Sequence, residues 1–295
     1  MDQRAAPDLS YAAYFHDPLK RALVRAVERA TGQPKLRRLY DRYRAGELGE
    51  TGFFEAAIRL LELDVRFDPA RLAAMPAEGP LVIVANHPFG VLDGLVISWL
   101  VGQRRGDFRV LTNSVLDAVP EAKPWLLPVD FAGTREAVSA NIAMRRVALA
   151  HVKGGGCVIV FPAGGVSTTP GPFDPLAVDD DWKPFTAKLI TQGRAAVTPV
   201  FFEGQNSRLF QIASHLSIEL RLALVFREVR RRMGTVLTLG IGETLSPDML
   251  DAAGRRRGLM DFLRDQTYSL APEGRLAKYQ DATRRFMARK PKVFR

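Results

Sequence analysis

The stretch Ala85-Asn86-His87-Pro88-Phe89-Gly90-Val91-Leu92-Asp93-Gly94-Leu95 sets an imidazole and a carboxylate near each other along the chain, with five residues, Pro88 to Leu92, between them. A ring that titrates near neutrality, held by an acid, can take up a proton and give it back. The pair follows Leu81-Val82-Ile83-Val84, a branched aliphatic run that ends in Asn, Pro and Gly and so reads as a buried strand stopping at a turn. Leu92 to Leu100 is apolar enough for a packed helix, with Asp93 in the first turn, where the helix dipole favours an acid. His87 would then stand at the carboxyl end of a strand, where open α/β sheets keep their sites. Residue types alone leave a second reading open, with Asp93 as a helix cap and His87 as a hydrogen-bonded structural residue.

The elements that must hold such a pair follow from the rest of the chain. With 295 residues and 47% hydrophobic content, it can bury a large core. Short apolar runs (Phe108 to Leu111, Leu126 to Phe131, Cys157 to Phe161, Val197 to Phe202, Val236 to Ile241) read as strands, and helical patterns lie between them near 92–103, 134–151, 184–193 and 206–216. That alternation predicts an α/β fold with a mostly parallel sheet flanked by helices, between an N-terminal helical region and a C-terminal helical tail. The implied division is 1–75 for basic amphipathic helices, 76–245 for the α/β domain, and 246–295 for a helical basic tail packed on the same domain. Residues 8–66 look helical throughout. Pro18 to Ala30 sets Leu19, Leu23, Val27 and Ala30 on one side and Arg21, Arg25 and Arg29 on another, a pattern that suits either packing on the core or lying on a membrane surface.

The formal charge is +10, and residues 246–295 carry twelve Lys/Arg against six Asp/Glu, so +6 of the surplus lies there. Such a balance favours an anionic partner: nucleic acid, phospholipid surface or phosphorylated small molecule. The clusters Arg230-Arg231-Arg232 and Arg255-Arg256-Arg257 bring no helix-turn-helix, zinc-finger or RNP signature with them, which speaks against nucleic acid. A basic, non-catalytic membrane- or nucleic-acid-binding protein is the rival reading. No stretch is long and apolar enough for a membrane span, and Met1-Asp2-Gln3-Arg4 leads into no apolar segment, so a cytoplasmic protein is expected. The single cysteine, Cys157, lies in an apolar run and is expected to serve the core. One cysteine and four scattered histidines offer no metal site, and His16, His151 and His215 are expected to be structural or at the surface. P-loop, dinucleotide and serine-hydrolase signatures are absent from the sequence.

Four segments at strand ends recur in one order: NHPFGVLDG (86–94), PVDFAGTRE (128–136), FPAGGVST (161–168) and VTPVFFEGQNS (197–207). Over residues 80–245 this series resembles the glycerolipid and lysophospholipid acyltransferase superfamily, especially its hemolysin-like or ornithine-lipid-type branch. The resemblance implies transfer of a fatty acyl group from a thioester, acyl-CoA or acyl carrier protein, to a hydroxyl of a lysolipid acceptor, with no bound cofactor. It implies His87 as general base and Asp93 as the residue that holds its tautomer. It also implies a peripheral enzyme on the anionic inner face of the cell membrane, with no nucleic-acid partner. Substrate-binding residues carried over by position are Asn86, Gly90, Pro162, Gly164, Gly165, Ser167 and Thr168, with Arg135 and Lys183 as candidate cations.

The departures are specific. The superfamily separates His and Asp by four residues, whereas five intervene here, with Gly90 able to relax the longer turn. In FPAGGVST, Ala163 and Val166 replace the Glu and Arg of the usual FPEGTRS. The arginine expected after the second strand aligns with Phe131, which leaves Arg135 as a substitute or as a surface residue. Gly164-Gly165 reads either as an anion-holding nest or as a plain turn, and Lys183 either as a pocket residue or as solvated. Thr198-Pro199-Val200 resembles the stretch assigned to acyl-chain binding, with a buried strand as the alternative. If neither position supplies a cation, a lysophospholipid acceptor is less secure than is usual for the superfamily, and a lyso-ornithine or other non-phosphate lipid becomes an option beside it.

Overall fold

In the computed structural model, residues 9–15, 17–113, 119–129 and 135–289 are described. Among them, strands β1 (Asp64–Arg66), β2 (Leu81–Ala85), β3 (Phe108–Asn113), β4 (Leu126–Val129), β5 (Cys157–Val160), β6 (Ala196–Phe202) and β7 (Val236–Ile241) form a seven-stranded sheet in the order β1-β7-β6-β2-β5-β3-β4. Strands β6, β2, β5, β3 and β4 run parallel, while β7 lies antiparallel to β6 and carries β1 in its own direction. The sheet is therefore mostly parallel, as the alternating pattern predicts. Helices α1 (Pro18–Thr31), α2 (Gln33–Arg44), α3 (Phe53–Leu60) and α4 (Pro69–Ala73) precede β2, and α5 (Val91–Gly102) follows it. Later come α6 (Arg135–Lys153), α7 (Pro184–Gly193), α8 (Arg208–Leu216), α9 (Ile218–Ala223), α10 (Val225–Arg232), α11 (Pro247–Arg257), α12 (Leu259–Tyr268) and α13 (Leu276–Arg289).

The central strand explains why its sequence is an unbroken apolar run. Every residue of β2 is buried, because helices cover both faces of the sheet. Leu81, Ile83 and Ala85 pack with Leu92, Val96 and Leu100 of α5 and Ile58 of α3. Val82 and Val84 meet Val152 of α6, Ile190 of α7 and Leu263 of α12 on the other side. Cys157 sits in this interior as a free thiol, pushed up to about 12 by burial, which makes it a core residue and not a nucleophile. On the far side of β6, the rings of Tyr268 and Tyr279 stand 5.6 and 5.3 Å from Phe201, bringing α12 and α13 against the sheet.

Two details depart from the sequence pattern. Asp64 to Arg66, expected within a helical stretch, forms β1, and three residues are too few for a strand period to register. Ile218 to Arg232, unassigned by pattern, adds α9 and α10. The exposed side of α1 is also rotated. Leu19 is 82% and Leu23 48% exposed, while Val24 and Glu28 are buried. The reason is the Glu28 carboxylate, which accepts the Ser10 hydroxyl at 2.6 Å and the Tyr11 N–H at 2.7 Å and so can be buried fully satisfied. Tyr11 in turn rests on Phe226 of α10, with ring centroids 5.5 Å apart. His16 and residues 130–134 of the second motif, Phe131 among them, lie outside the described residues.

The α1–α2 joint shows how closely this N-terminal region is seated. A Cβ on Gly32 would stand 2.7 Å from the Phe226 carbonyl oxygen and 2.9 Å from its carbon, main-chain atoms that cannot swing away. We expect Gly32→Ala to destabilise the protein by about 1–3 kcal/mol through overpacking. Urea unfolding checks this, and an unchanged midpoint would show that α1 and α2 are not docked on α10.

Candidate active site

The sheet brings three loops together at the carboxyl ends of its adjacent central strands: residues 86–90 after β2, 161–168 after β5 and 203–207 after β6. His87 opens the first loop. Its Nδ1 lies 3.0 Å from Asp93 Oδ2, with the ring 18% exposed and the carboxylate fully buried. The same Oδ2 accepts the backbone N–H groups of Phe89 at 2.8 Å and Gly90 at 2.9 Å. Asp93 is therefore a cap and the imidazole's partner at once, and capping is what aims it. Gly90, with φ of 74°, makes the turn that brings these N–H groups round. The 3.0 Å approach is off the ring N–H direction, so Nδ1 and Asp93 Oδ1 lack a well-directed partner among the described residues. Unliganded catalytic pairs are often aligned this poorly. With Nδ1 facing the acid, Nε2 is the ring nitrogen that Asp93 leaves unengaged.

Burial raises the Asp93 pKa above its ordinary value, opposed by the contact with His87 and by the two N–H groups. Phe161, at the start of the third motif, stacks on the imidazole at 4.1 Å between centroids with 27° between planes. The backbone of the motif is tied directly to His87, whose carbonyl accepts the Ser167 N–H at 2.8 Å.

Beneath this lies Asp179, a residue that sequence reasoning missed. Its Oδ1 accepts the His87 N–H at 3.1 Å and the Ser167 hydroxyl at 2.5 Å, and its Oδ2 accepts the Trp182 indole N–H at 3.0 Å. Arg264 donates to its carbonyl at 2.5 Å, and its own N–H donates to the Tyr268 hydroxyl at 2.9 Å. The buried carboxylate thus couples two of the three loops. In sequence it is one acid in Asp179-Asp180-Asp181, which resembles any solvated acidic run.

The remaining candidate residues distribute as follows. Asn86 uses its side-chain amide on the main chain of Phe202, donating at 3.0 Å and accepting at 2.7 Å, which joins the ends of β2 and β6. Gly164 and Gly165 are exposed, Gly164 with φ of 73°, and form the open tip of the third motif. The Pro162 carbonyl accepts the Lys183 N–H at 2.9 Å, while Lys183's side chain is exposed at the start of α7. Thr168 pairs its backbone with Val178 and accepts from Arg221 at 3.1 Å. Arg135 is exposed at the start of α6. Thr198, Pro199 and Val200 are buried in β6, with the Thr198 hydroxyl 2.8 Å from that of Thr244. His151 and His215 both place Nε2 against backbone carbonyls, those of Asp107 and Thr169.

Two arginines enter from helices the sequence did not assign. Arg232 of α10 lies over the Phe89 ring at 4.3 Å and donates to the Gln205 carbonyl at 3.0 Å, bracing the His87 loop against the β6 loop. Arg221 of α9 reaches the 164–168 loop. A basin of about 590 Å³ at the opposite, amino ends of the strands lies away from His87. There Arg105 bonds Asp107 and the carbonyls of Gly79 and Gly155, a structural use of its guanidinium.

Residues 25–274 match the model of the Acyltransferase family. The chain belongs to that family. It is an acyltransferase of the glycerolipid acyltransferase superfamily, as its motif order implies. Among curated proteins it is similar to a lyso-glycine lipid O-acyltransferase of Phocaeicola vulgatus, 27% identical over 226 residues that span 74% of this chain and 77% of the relative. It is also similar to a lyso-glycine lipid O-acyltransferase of Bacteroides thetaiotaomicron, 24% identical over 74% and 79% of the two chains. The crystal structure of the 1-acyl-sn-glycerophosphate (LPA) acyltransferase PlsC from Thermotoga maritima superposes with a TM-score of 0.48 at 15% identity, over 88% of this chain and 83% of that one.

Because the pKa of Asp93 is raised, the native state binds its proton more tightly than the unfolded chain does. Its contribution to stability is full below the ordinary carboxylate range and declines as pH rises through the raised value. Asp93→Asn can still accept both N–H groups and removes the ionisation. Relative to this variant, the wild type should lose stability as pH rises from below the ordinary carboxylate range to above the raised value. Parallel melting curves at stepped pH check this, and a constant difference would show that Asp93 does not titrate in a buried site.

Proposed function

We propose that this acyltransferase moves a fatty acyl group from a thioester, acyl-CoA or acyl carrier protein, to a hydroxyl of a lysolipid. The observation that carries the reading is His87 Nδ1 at 3.0 Å from the buried Asp93, at the carboxyl end of the central strand. His87 Nε2 removes the proton as the acceptor oxygen attacks the thioester carbonyl. The imidazolium that forms is stabilised by Asp93, now its hydrogen-bonded counter-ion. Collapse of the tetrahedral adduct breaks the C–S bond, and the imidazolium returns the proton to the leaving thiolate. Ester and free thiol result, and the base is restored. The similarity to two lyso-glycine lipid O-acyltransferases favours an amino-acid lysolipid acceptor, of the glycine or ornithine kind, over a phosphate-bearing one.

The test offers purified protein labelled palmitoyl-CoA and palmitoyl-acyl carrier protein with a panel of lysolipids. We expect transfer by the wild type and a loss of about 100- to 10,000-fold in His87→Ala with its melting temperature retained. Full activity in that variant would remove His87 from the chemistry.

A greasy acceptor must be taken from a membrane. Among the described residues no helix is long and apolar enough to cross one. What supports peripheral docking at an anionic inner face is the exposed set Leu19, Leu23, Leu209, Leu216 and Ile218 on α1, α8 and α9, beside exposed Arg21 and Arg208. Leu19→Glu with Leu23→Glu should abolish flotation with anionic vesicles while thermal stability holds. Unchanged flotation would remove α1 from the docking face.

A further inference from the structure

We infer that Arg221 is the acceptor-specificity residue of this enzyme, binding the carboxylate of an amino-acid lysolipid at the Gly164–Gly165 tip of the active-site loop. The inference rests on the lysolipid acyltransfer proposed above.

Arg221 comes from α9, which packs across the third motif. Its guanidinium donates to the Val166 carbonyl at 2.5 Å and to the Thr168 hydroxyl at 3.1 Å, and it lies 5.8 Å from the Phe210 ring centroid. Among the described residues these hydrogen-bond partners are neutral oxygens, and no carboxylate stands within ion-pair distance of it. A guanidinium has five N–H donors and stays charged, so donors remain for a ligand, and Asp180 acts on its charge only from beyond ion-pair distance. Burial lowers its pKa from the ordinary value, partly offset by Asp180, which marks a cation that gains from an anion close by.

The location fits a substrate and not a structural counter-ion. A Cβ built on Gly165 would be 3.8 Å from Arg221 Nη2, so the half-buried guanidinium borders the exposed tip with no side chain between them. That loop is the one whose Ser167 N–H bonds the His87 carbonyl, and Val166 lies against Gly90 of the His87 turn. An anion held on Arg221 is thereby tethered within the loop pair that carries the base. The ligand class follows from charge and shape. Arg221 is a single +1 fork with planar geometry, and the other candidate cations, Arg135 and Lys183, have exposed side chains on other elements. A guanidinium fork pairs with carboxylate and phosphate alike, so charge decides: one cation balances a singly charged carboxylate, whereas a phosphomonoester carries more charge than one cation offsets.

The experiment compares an N-(3-hydroxyacyl)glycine, its methyl ester and a lysophosphatidic acid as acceptors, in wild type, Arg221→Gln and Arg221→Lys. We expect the wild type to use the free acid with kcat/KM about 10- to 100-fold above the ester. Arg221→Gln should remove that preference by raising KM for the acid well beyond any change for the ester, and Arg221→Lys should recover only part of it. A structural role for Arg221 would instead lower the use of acid and ester equally, which overturns the inference, as does a wild type indifferent to esterification. Preferential use of lysophosphatidic acid, lost in Arg221→Gln, overturns the carboxylate assignment. Should Arg221→Gln fail to fold, Arg221→Lys decides: a preference for acid over ester undiminished in that variant overturns the inference. Transfer to none of the acceptors defeats the proposed acyltransfer itself, a result distinct from equal use of acid and ester.

Discussion

The site depends on a carboxylate with no contact with water. Asp93 is fully buried at the first turn of α5, and every neighbour that makes this tolerable also fixes geometry. The N–H groups of Phe89 and Gly90 compensate its lost hydration only if the chain folds back through the positive-φ turn at Gly90. That fold-back carries His87 to within 3.0 Å. A helix cap, a tight turn and a proton-transfer pair are therefore one arrangement. The extra residue between His87 and Asp93 is absorbed in this turn without separating the two groups.

A second buried acid extends the order outward. Asp179 holds the backbone of His87, the Ser167 hydroxyl and the Trp182 indole, so a loop after β2 and a loop after β5 share one anchor. Asn86 joins the same β2 end to Phe202 at the end of β6. The links to His87 and to Phe202 bind main chain on one side. The result is an imidazole fixed by neighbouring strands and not by its own flexible loop, the fixity that the proposed general-base role requires.

Much of this was legible in the sequence because its physics is local. The run Leu81 to Val84, ended by Asn-His-Pro, has few readings other than a buried strand at a turn, and the alternating runs that follow fix a parallel sheet. Asp93 was legible as a helix-start acid for the same reason. What was not legible is long-range. Asp179 meets His87 across 92 positions of chain, and nothing in Asp179-Asp180-Asp181 tells which of three acids turns inward. The orientation of α1 was hidden likewise. Its buried side is chosen by Glu28 finding Ser10 and the Tyr11 N–H, a partnership no hydropathy pattern contains, and it leaves Leu19 and Leu23 outside. Arg221 and Arg232 sit on α9 and α10, whose pattern gave no element at all.

These observations explain how the third motif can lose two charged side chains and still serve the site. Its tie to the base is the Ser167 N–H on the His87 carbonyl together with the Ser167 hydroxyl on Asp179. Neither bond involves the side chains at Ala163 or Val166. What those positions can alter is the electrostatics of the exposed tip, where Val166 contributes only its carbonyl and a guanidinium arrives from α9 instead. A cation on a helix outside the motif can move, or change its preferred anion, without disturbing the pair that handles the proton. Main-chain bonds hold His87 while the charge beside the motif's tip comes from a remote side chain, so on the proposed reading one frame for the proton transfer can serve different headgroups.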